Sequence, residues 1–298
     1  MREVESWTTA DLARLCSAGM PVTHGPLNDT YRVEAGPSAV FVRHRVVESE
    51  DYGQTFAAEE YLPHQLMRQL HIPRLYRVLQ DRAGRRAYAL FEFIDGTEPD
   101  WNLSGVLDTL VENLARIHVI AGNAFGNIRG PFQSAPPSAY LSMLLAAELG
   151  RLRSACAPAG ELRATTRHLT RIFSVFDSER PCLCHGDVHP GNFLMDDAGR
   201  MWLVDWEAAR FRVAAADFNQ MHMNWLDDEQ QRTALTRYCD LTGRRIDLFA
   251  AQVGLLRLLW HVRTYNFHVS VLAEPPQAHA HHLRRALDLS VAALDREP

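Results

Sequence analysis

Hydrophobic and polar positions change rhythm part-way along the chain. Up to residue 95, helical and alternating runs are interleaved. Asp11 to Ala18 reads as a helix. Asp29 to Ala35 and Ala39 to Val46 read as short strands, with Gly36-Pro37 as the turn signal between them. Thr55 to Leu70 carries apolar residues at helical spacing, and Pro63 is expected to kink or break that helix before Ile72-Pro73. Arg74 to Leu79 and Arg86 to Phe93 read as two more strands joined through Asp81-Arg82-Ala83-Gly84, and Asp95-Gly96 punctuates the end.

From Asn102 onward the pattern is helical. Leu103 to Ile120, Tyr140 to Ala155, Gly160 to Phe176, Ala214 to Leu226, Glu229 to Leu241, Ile246 to Phe267 and His279 to Leu294 each carry an apolar face. One island interrupts them. Pro181 to Glu207 holds two strand-like runs, Leu194-Met195 and Met201 to Val204, around Asp196-Asp197-Ala198-Gly199. The expected fold class is α+β: a small sheet-bearing N-terminal lobe over 1–95 and a mostly helical C-terminal lobe over 96–298. There is no internal repeat and no low-complexity tract.

Composition narrows the chemistry. The 298 residues are 47% hydrophobic and 22% charged, enough to bury a core. All 31 basic residues are arginine. The absence of lysine excludes a P-loop and lysine Schiff-base chemistry, so a phosphate must be held by arginine, histidine or a metal. The net charge of −5 lacks the basic excess of a nucleic-acid binder, and no nucleic-acid partner is expected. The polar start Met1-Arg2-Glu3-Val4-Glu5-Ser6-Trp7 does not read as a signal peptide, and no apolar run is long enough to span a membrane. Cysteines at 16, 156, 182, 184 and 239 are odd in number and scattered, which points to a reducing, cytoplasmic setting.

The chemistry concentrates in Leu183-Cys184-His185-Gly186-Asp187-Val188-His189-Pro190-Gly191-Asn192-Phe193-Leu194. Its skeleton, H-G-D-x-x-x-x-N, has the Asp-to-Asn spacing of the protein-kinase catalytic loop. A carboxylate at Asp187 can reach an attacking hydroxyl, and the amide oxygen of Asn192 can reach a phosphate-bound Mg2+. Asp205 ends an apolar strand thirteen residues after Asn192 and supplies a second hard oxygen ligand.

H-G-D-x-H-x-x-N followed by a strand ending in Asp205-Trp206-Glu207 resembles the aminoglycoside phosphotransferase and choline kinase superfamily, small-molecule kinases with a bilobal protein-kinase-like fold. The resemblance runs over most of the chain. His24 to Val33 looks like the loop between the first strands, with Asn28 in the phosphate-covering turn. Arg43 takes the place of the strand cation, a lysine in many members. Glu60 matches the helix glutamate that pairs with it, and neighbouring Glu59 competes for that role. Ala89 to Gly96 looks like the hinge, with nucleotide contacts from backbone groups of Glu92 and Ile94. Leu114-Ala115-Arg116-Ile117-His118 matches the start of the large lobe, Asp217 the aspartate after the metal-binding strand, and His185 and His189 complete the central motif.

The resemblance implies transfer of the γ-phosphoryl group of ATP or GTP to a hydroxyl of a small acceptor. Asp187 is then the base, Asn192 and Asp205 are Mg2+ ligands, and the N-terminal lobe binds nucleotide. An aminoglycoside-type antibiotic comes first as acceptor, with a choline-, ethanolamine- or homoserine-type metabolite as the alternative. Asp227, Asp228 and Glu229 would suit a polycationic acceptor, although an acidic helix start favoured by the dipole is the plainer explanation. Trp260, with Tyr265 and Phe267, could cage a quaternary ammonium or simply be core. From other classes, a catalytically silent nucleotide-binding module would share the fold, and a metallophosphoesterase could use Asp187-x-His189. All three kinase residues are present and no further phosphoesterase motif is, which favours the kinase. His279, His281 and His282 are poorly spaced along one helix to hold a single ion.

Overall fold

The computed structural model describes residues 6–294 apart from 25–27, 37, 46–55, 63–69, 81–86, 104, 129–131, 134–135, 153–155 and 167–168. The chain folds as two compact units, one of residues 1–100 with 190–208, the other of 101–189 with 209–298.

The first unit is built on a five-stranded antiparallel sheet. Its strands are β1 (Met20–His24), β2 (Asn28–Ala35), β3 (Ser38–Arg45), β4 (Leu75–Gln80) and β5 (Ala87–Glu92), in the order β1-β2-β3-β5-β4. β5 is interior and is buried at every position from Ala87 to Phe91. Alternate residues therefore feed two cores. Tyr88 and Leu90 join Val33, Val40 and Val42 beneath α1 (Thr9–Ala18), whose Leu12 and Cys16 face inward. Ala87, Ala89 and Phe91 pack with Phe56. A fully buried side chain such as Val42 stabilises by roughly 1.5–3 kcal/mol. Thr8 and Asp11 close a reciprocal capping box on α1.

The stretch 190–208 departs from the expected boundary at residue 95/96, because it packs with the sheet-bearing unit. β10 (Phe193–Asp196) pairs antiparallel with β11 (Met201–Leu203) and with β6 (Gly96–Thr97), and the Leu203 amide donates to the His71 carbonyl at 3.1 Å. In the expected helix from Thr55, the described part is α2 (Ala57–Tyr61). Leu62 leaves helical geometry at ψ 117°, as the residue before Pro63 must. Residues 63–69 of that helix, and the Asp81–Gly84 turn, lie outside the described residues.

The second unit holds α3 (Val106–His118), α4 (Pro137–Arg151), α5 (Ala157–Thr166), α6 (Ala215–Asn224), α7 (Asp228–Thr242), α8 (Ile246–Asn266) and α9 (Ala280–Leu294). A small sheet of β7 (Phe125–Asn127), β8 (Phe132–Gln133), β9 (Cys182–Cys184) and β12 (Arg210–Arg212) runs in the order β8-β7-β12-β9. β7, β8 and β12 are not foreshadowed by sequence pattern, since strands of two or three residues carry too little periodicity. The helix expected from Gly160 to Phe176 is instead α5 followed by a 3-10 stretch, Leu169–Phe176. Near the end of α5, the Thr165 hydroxyl donates to the Glu161 carbonyl, a back-bond that loosens a helix. No helix among the described residues is long and apolar enough to cross a membrane.

Candidate active site

Within the first unit, six polar side chains converge on the inner strands. Arg43 and Arg45 sit two apart on β3 and so share a face. Arg43, 4% exposed, donates to Glu59 at 2.9 Å and lies 3.1 Å from Asp205 Oδ1 and 3.7 Å from Glu207. Arg45 donates to both carboxylate oxygens of Glu207, at 3.1 and 3.2 Å, and Asn28 Nδ2 donates to the same side chain at 2.9 Å. Three carboxylates thus meet two guanidinium groups. Burial pushes Glu59 up to about 7, with Arg43 pulling the other way and Asp205 and Glu207 adding to the rise. Burial acts to lower Arg43, but Asp205, Glu59 and Glu207 outweigh it and the group is held above its ordinary value.

The β10–β11 hairpin explains the thirteen-residue gap between Asn192 and Asp205. Phe193 pairs with Leu203, so both residues fall at the same end of the hairpin, where the Val204 amide donates to the Asn192 carbonyl at 3.0 Å. The far turn is held by Asp196. Its carboxylate accepts from the Ala198 and Arg200 amides, the Arg200 guanidinium and the Trp202 indole. Asp205 follows at φ +59°, a left-handed conformation that costs a non-glycine residue energy and is kept where a side chain must be aimed. Its Oδ1 is buried without an aligned hydrogen bond. This oxygen-rich, carboxylate-excess set suits a hard divalent cation.

In the second unit, the loop bearing Asp187 is tied to a buried carboxylate. Asp217, fully buried at the start of α6, accepts from the His185 and Gly186 amides at 2.8 Å each and contacts His118 Nε2 at 3.1 Å. His118 Nδ1 meets the Tyr238 hydroxyl at 2.7 Å. Burial acts to raise Asp217, but the His118 bond and charge, then His185 and the Gly186 amide, hold it below the ordinary carboxylate value. Burial acts to lower His118, and Cys182 and Asp217 more than offset it. Gly186 at φ +82° lets the chain turn so that successive amides point at one carboxylate. Asp187 itself is half-buried, with His189 Nε2 at 3.4 Å from its carboxylate.

Residues 19–250 match the family described as "Phosphotransferase enzyme family" (APH). The chain belongs to that family. The fold agrees. A thermostable mutant of aminoglycoside phosphotransferase APH(4)-Ia, in ternary complex with AMP-PNP and hygromycin B, superposes with TM-score 0.64 at 16% identity, covering 94% of this chain and 95% of that one. Choline kinase LicA from Streptococcus pneumoniae gives TM-score 0.62 at 19% identity, over 91% of this chain and 92% of its own. The gentamicin complex of APH(2")-IIa gives 0.62 at 14%, over 98% and 97%. The fold is the kinase-like one that the motif implied, and the protein is a phosphotransferase.

This phosphotransferase corrects one sequence expectation outright. Glu59, not Glu60, pairs with Arg43; Glu59 is buried and Glu60 exposed. Adjacent helix positions point about 100° apart, so only one of the pair can face the sheet. Asn28 opens β2 and bonds Glu207, while 25–27 of the expected phosphate-covering turn lie outside the described residues. The Glu92 amide, one of the backbone groups expected at the hinge, donates to the Arg74 carbonyl at 2.8 Å.

The acceptor candidates are placed less pointedly. Asp227 caps α7, accepting from the Glu229 and Gln230 amides at 2.9 and 2.8 Å, with Asp228 and Glu229 exposed in the first turn. Tyr265 is fully buried, so no cage forms with Trp260, whose ring sits edge-on to His261 and His282. An aromatic pair that sequence reasoning passed over, Trp101 and Trp225, lies instead beside the Asp227 cap. The rings are 4.5 Å apart, and Gln230 of α7 donates to the Trp101 carbonyl. The tryptophans are far apart in sequence, so nothing local marks them. Arg45 was also missed, although its two-residue spacing from Arg43 on one strand was a usable signal, and Glu207 was read only as the end of the Asp205-Trp206-Glu207 motif, with no role of its own.

Proposed function

We propose that this phosphotransferase moves the γ-phosphoryl group of a nucleoside triphosphate, ATP or GTP, onto a hydroxyl of a small cationic acceptor. The observation that carries the reading is the Arg43–Glu59–Asp205–Glu207 cluster, which holds an oxygen-donor aspartate beside a buried phosphate-competent cation. The first unit binds nucleotide, with Arg43 toward its phosphates and the Glu92 carbonyl and Ile94 backbone toward its base. The second unit carries the base and the acceptor site.

Asn192 and Asp205 would hold Mg2+, which would supply charge neutralisation for the transferring phosphate. Asp187 accepts a hydrogen bond from the acceptor hydroxyl and takes its proton as oxygen attacks the γ-phosphorus. The new O–P bond forms as the bond to the bridging oxygen breaks and the nucleoside diphosphate leaves. Asp217 positions Asp187 through the His185 and Gly186 amides, so the carboxylate is pre-aimed rather than recruited. Aminoglycoside-type antibiotics, whose phosphorylation would confer resistance, are the first acceptor class, given the acidic start of α7. The Trp101–Trp225 pair beside that start favours a second reading, a choline-type acceptor held by cation–π contact.

The test is transfer detected by mass spectrometry, offering ATP and GTP with Mg2+ to aminoglycosides, other hydroxylated antibiotics, choline, ethanolamine and homoserine. A phosphorylated product is expected, with Asp187→Ala slower by about 10²–10⁴-fold. Undiminished product in that variant would remove Asp187 from the chemistry. Nucleotide binding without product across the panel would favour a silent nucleotide-binding module.

A further inference from the structure

Phosphoryl transfer leaves a histidine-rich corner of the second unit without a role. It lies where α8 gives way to α9. α8 ends in a π-helical turn, Phe267–Val271, a wide-wound geometry that recurs at functional positions and here carries His268. The chain then reverses through Ala273 at φ +55°, an energetically costly conformation for alanine. That reversal brings Glu274 back over the π-turn, where its amide donates to the His268 carbonyl at 3.0 Å. Pro275 and Pro276 stiffen the next step into the 3-10 turn Pro276–His279, which presents His279.

The three side chains converge. His268 Nδ1 lies 3.2 Å from Glu274 Oε2, and His279 Nε2 approaches the same oxygen. The two imidazoles stack 4.2 Å apart at 11°, and one potential ligand atom from each of the three residues falls within 4.8 Å of the others. All three are partly exposed, so an ion can enter from solvent. Sequence spacing hides this site, because its members come from a π-turn, a reversed loop and a 3-10 turn rather than from one helix face.

We propose that His268, Glu274 and His279 bind one divalent transition-metal ion of the zinc class. Two imidazoles and one carboxylate are a recurrent zinc ligand set, completed by water, and nitrogen donors disfavour Mg2+. The ion would replace the imidazole–carboxylate hydrogen bonds and cross-link the end of α8 to the start of α9. The site shares no residue with Asn192 and Asp205 and does not depend on the proposed acceptor.

The experiment is calorimetric titration of the full chain with ZnCl2, after chelator dialysis and with Mg2+ in excess. X-ray absorption would be recorded on the zinc-loaded protein. One equivalent is expected to bind with micromolar or tighter affinity, with two imidazoles and oxygen at about 2.0–2.2 Å. His268→Gln and His279→Gln should each weaken binding by more than about 100-fold, beyond what losing an outer-shell partner costs. His281→Gln, an exposed neighbour outside the three, should bind as the unaltered chain does. No bound equivalent would overturn the proposal. So would sulfur scattering at about 2.3 Å, which would place the ion on Cys182 and Cys184 beside His118. Unchanged affinity in both glutamine variants would also overturn it. Because absorption is read on the unaltered chain, a variant that fails to fold leaves the decision intact.

Discussion

Arg43 lies within ion-pair distance of three carboxylates, and its partner Glu59 is where pH should be felt. Glu59 is pushed up to about 7 in the fold, from an ordinary value of 4.5. The folded state therefore holds that proton more tightly than the unfolded chain. The resulting stability is present below the ordinary value and is lost as pH rises through about 7. Urea denaturation from about pH 5 to 8 should show this decline in the unaltered chain and lose it in Glu59→Gln. Turnover should run the opposite way, rising as Glu59 ionises and pairs with Arg43. In steady-state assays Glu59→Gln should lower kcat/KM by about tenfold or more, the effect of removing a buried charge partner, and Glu60→Gln by less than about twofold. Equal losses in the two variants would mean that the Arg43–Glu59 pair does not govern turnover.

At the scale of elements, the start of α7 separates a structural role from a recognition role in one position. Asp227 caps the helix through its carboxylate oxygen. Asparagine caps nearly as well, whereas alanine costs about 1 kcal/mol. Asp227→Asn should thus keep the denaturation midpoint, and Asp227→Ala should lower stability by that amount. If the carboxylate also reads a cationic acceptor, both variants raise the acceptor KM while leaving the nucleotide KM alone. An unchanged acceptor KM in both would reduce Asp227 to a cap. The same region shows what element-scale sequence reading supplies. The acidic run was visible, and so was its helix-start alternative, but the Trp101–Trp225 pair was not, since two residues this far apart become neighbours only through helix packing.

Across the whole molecule, the absence of lysine has a direct consequence. An ATP analogue armed with a lysine-selective acyl group should bind but leave no side-chain acylation detectable by peptide mass spectrometry. In the proposed reading the charge opposite the phosphates is that of Arg43, whose guanidinium stays protonated and is a poor nucleophile. Side-chain acylation of the nucleotide site would contradict the assignment of Arg43. Strands β2 to β5, the β10–β11 pair, most of the helices, the family resemblance and the central motif from His185 to Asn192 were legible along the chain. They depend on local period and fixed spacing, which neighbouring residues carry by themselves. Tertiary structure decided what local spacing leaves open. It chose Glu59 over Glu60 by helix phase against the sheet, and drew 190–208 to the first unit by strand pairing with β6. It also turned Asp217 into the anchor of the Asp187 loop, and gathered His268, Glu274 and His279 from three different backbone geometries. Each of these depends on which groups meet after the chain has turned back on itself, a property of the packed core and its orphaned polar groups rather than of any window of sequence.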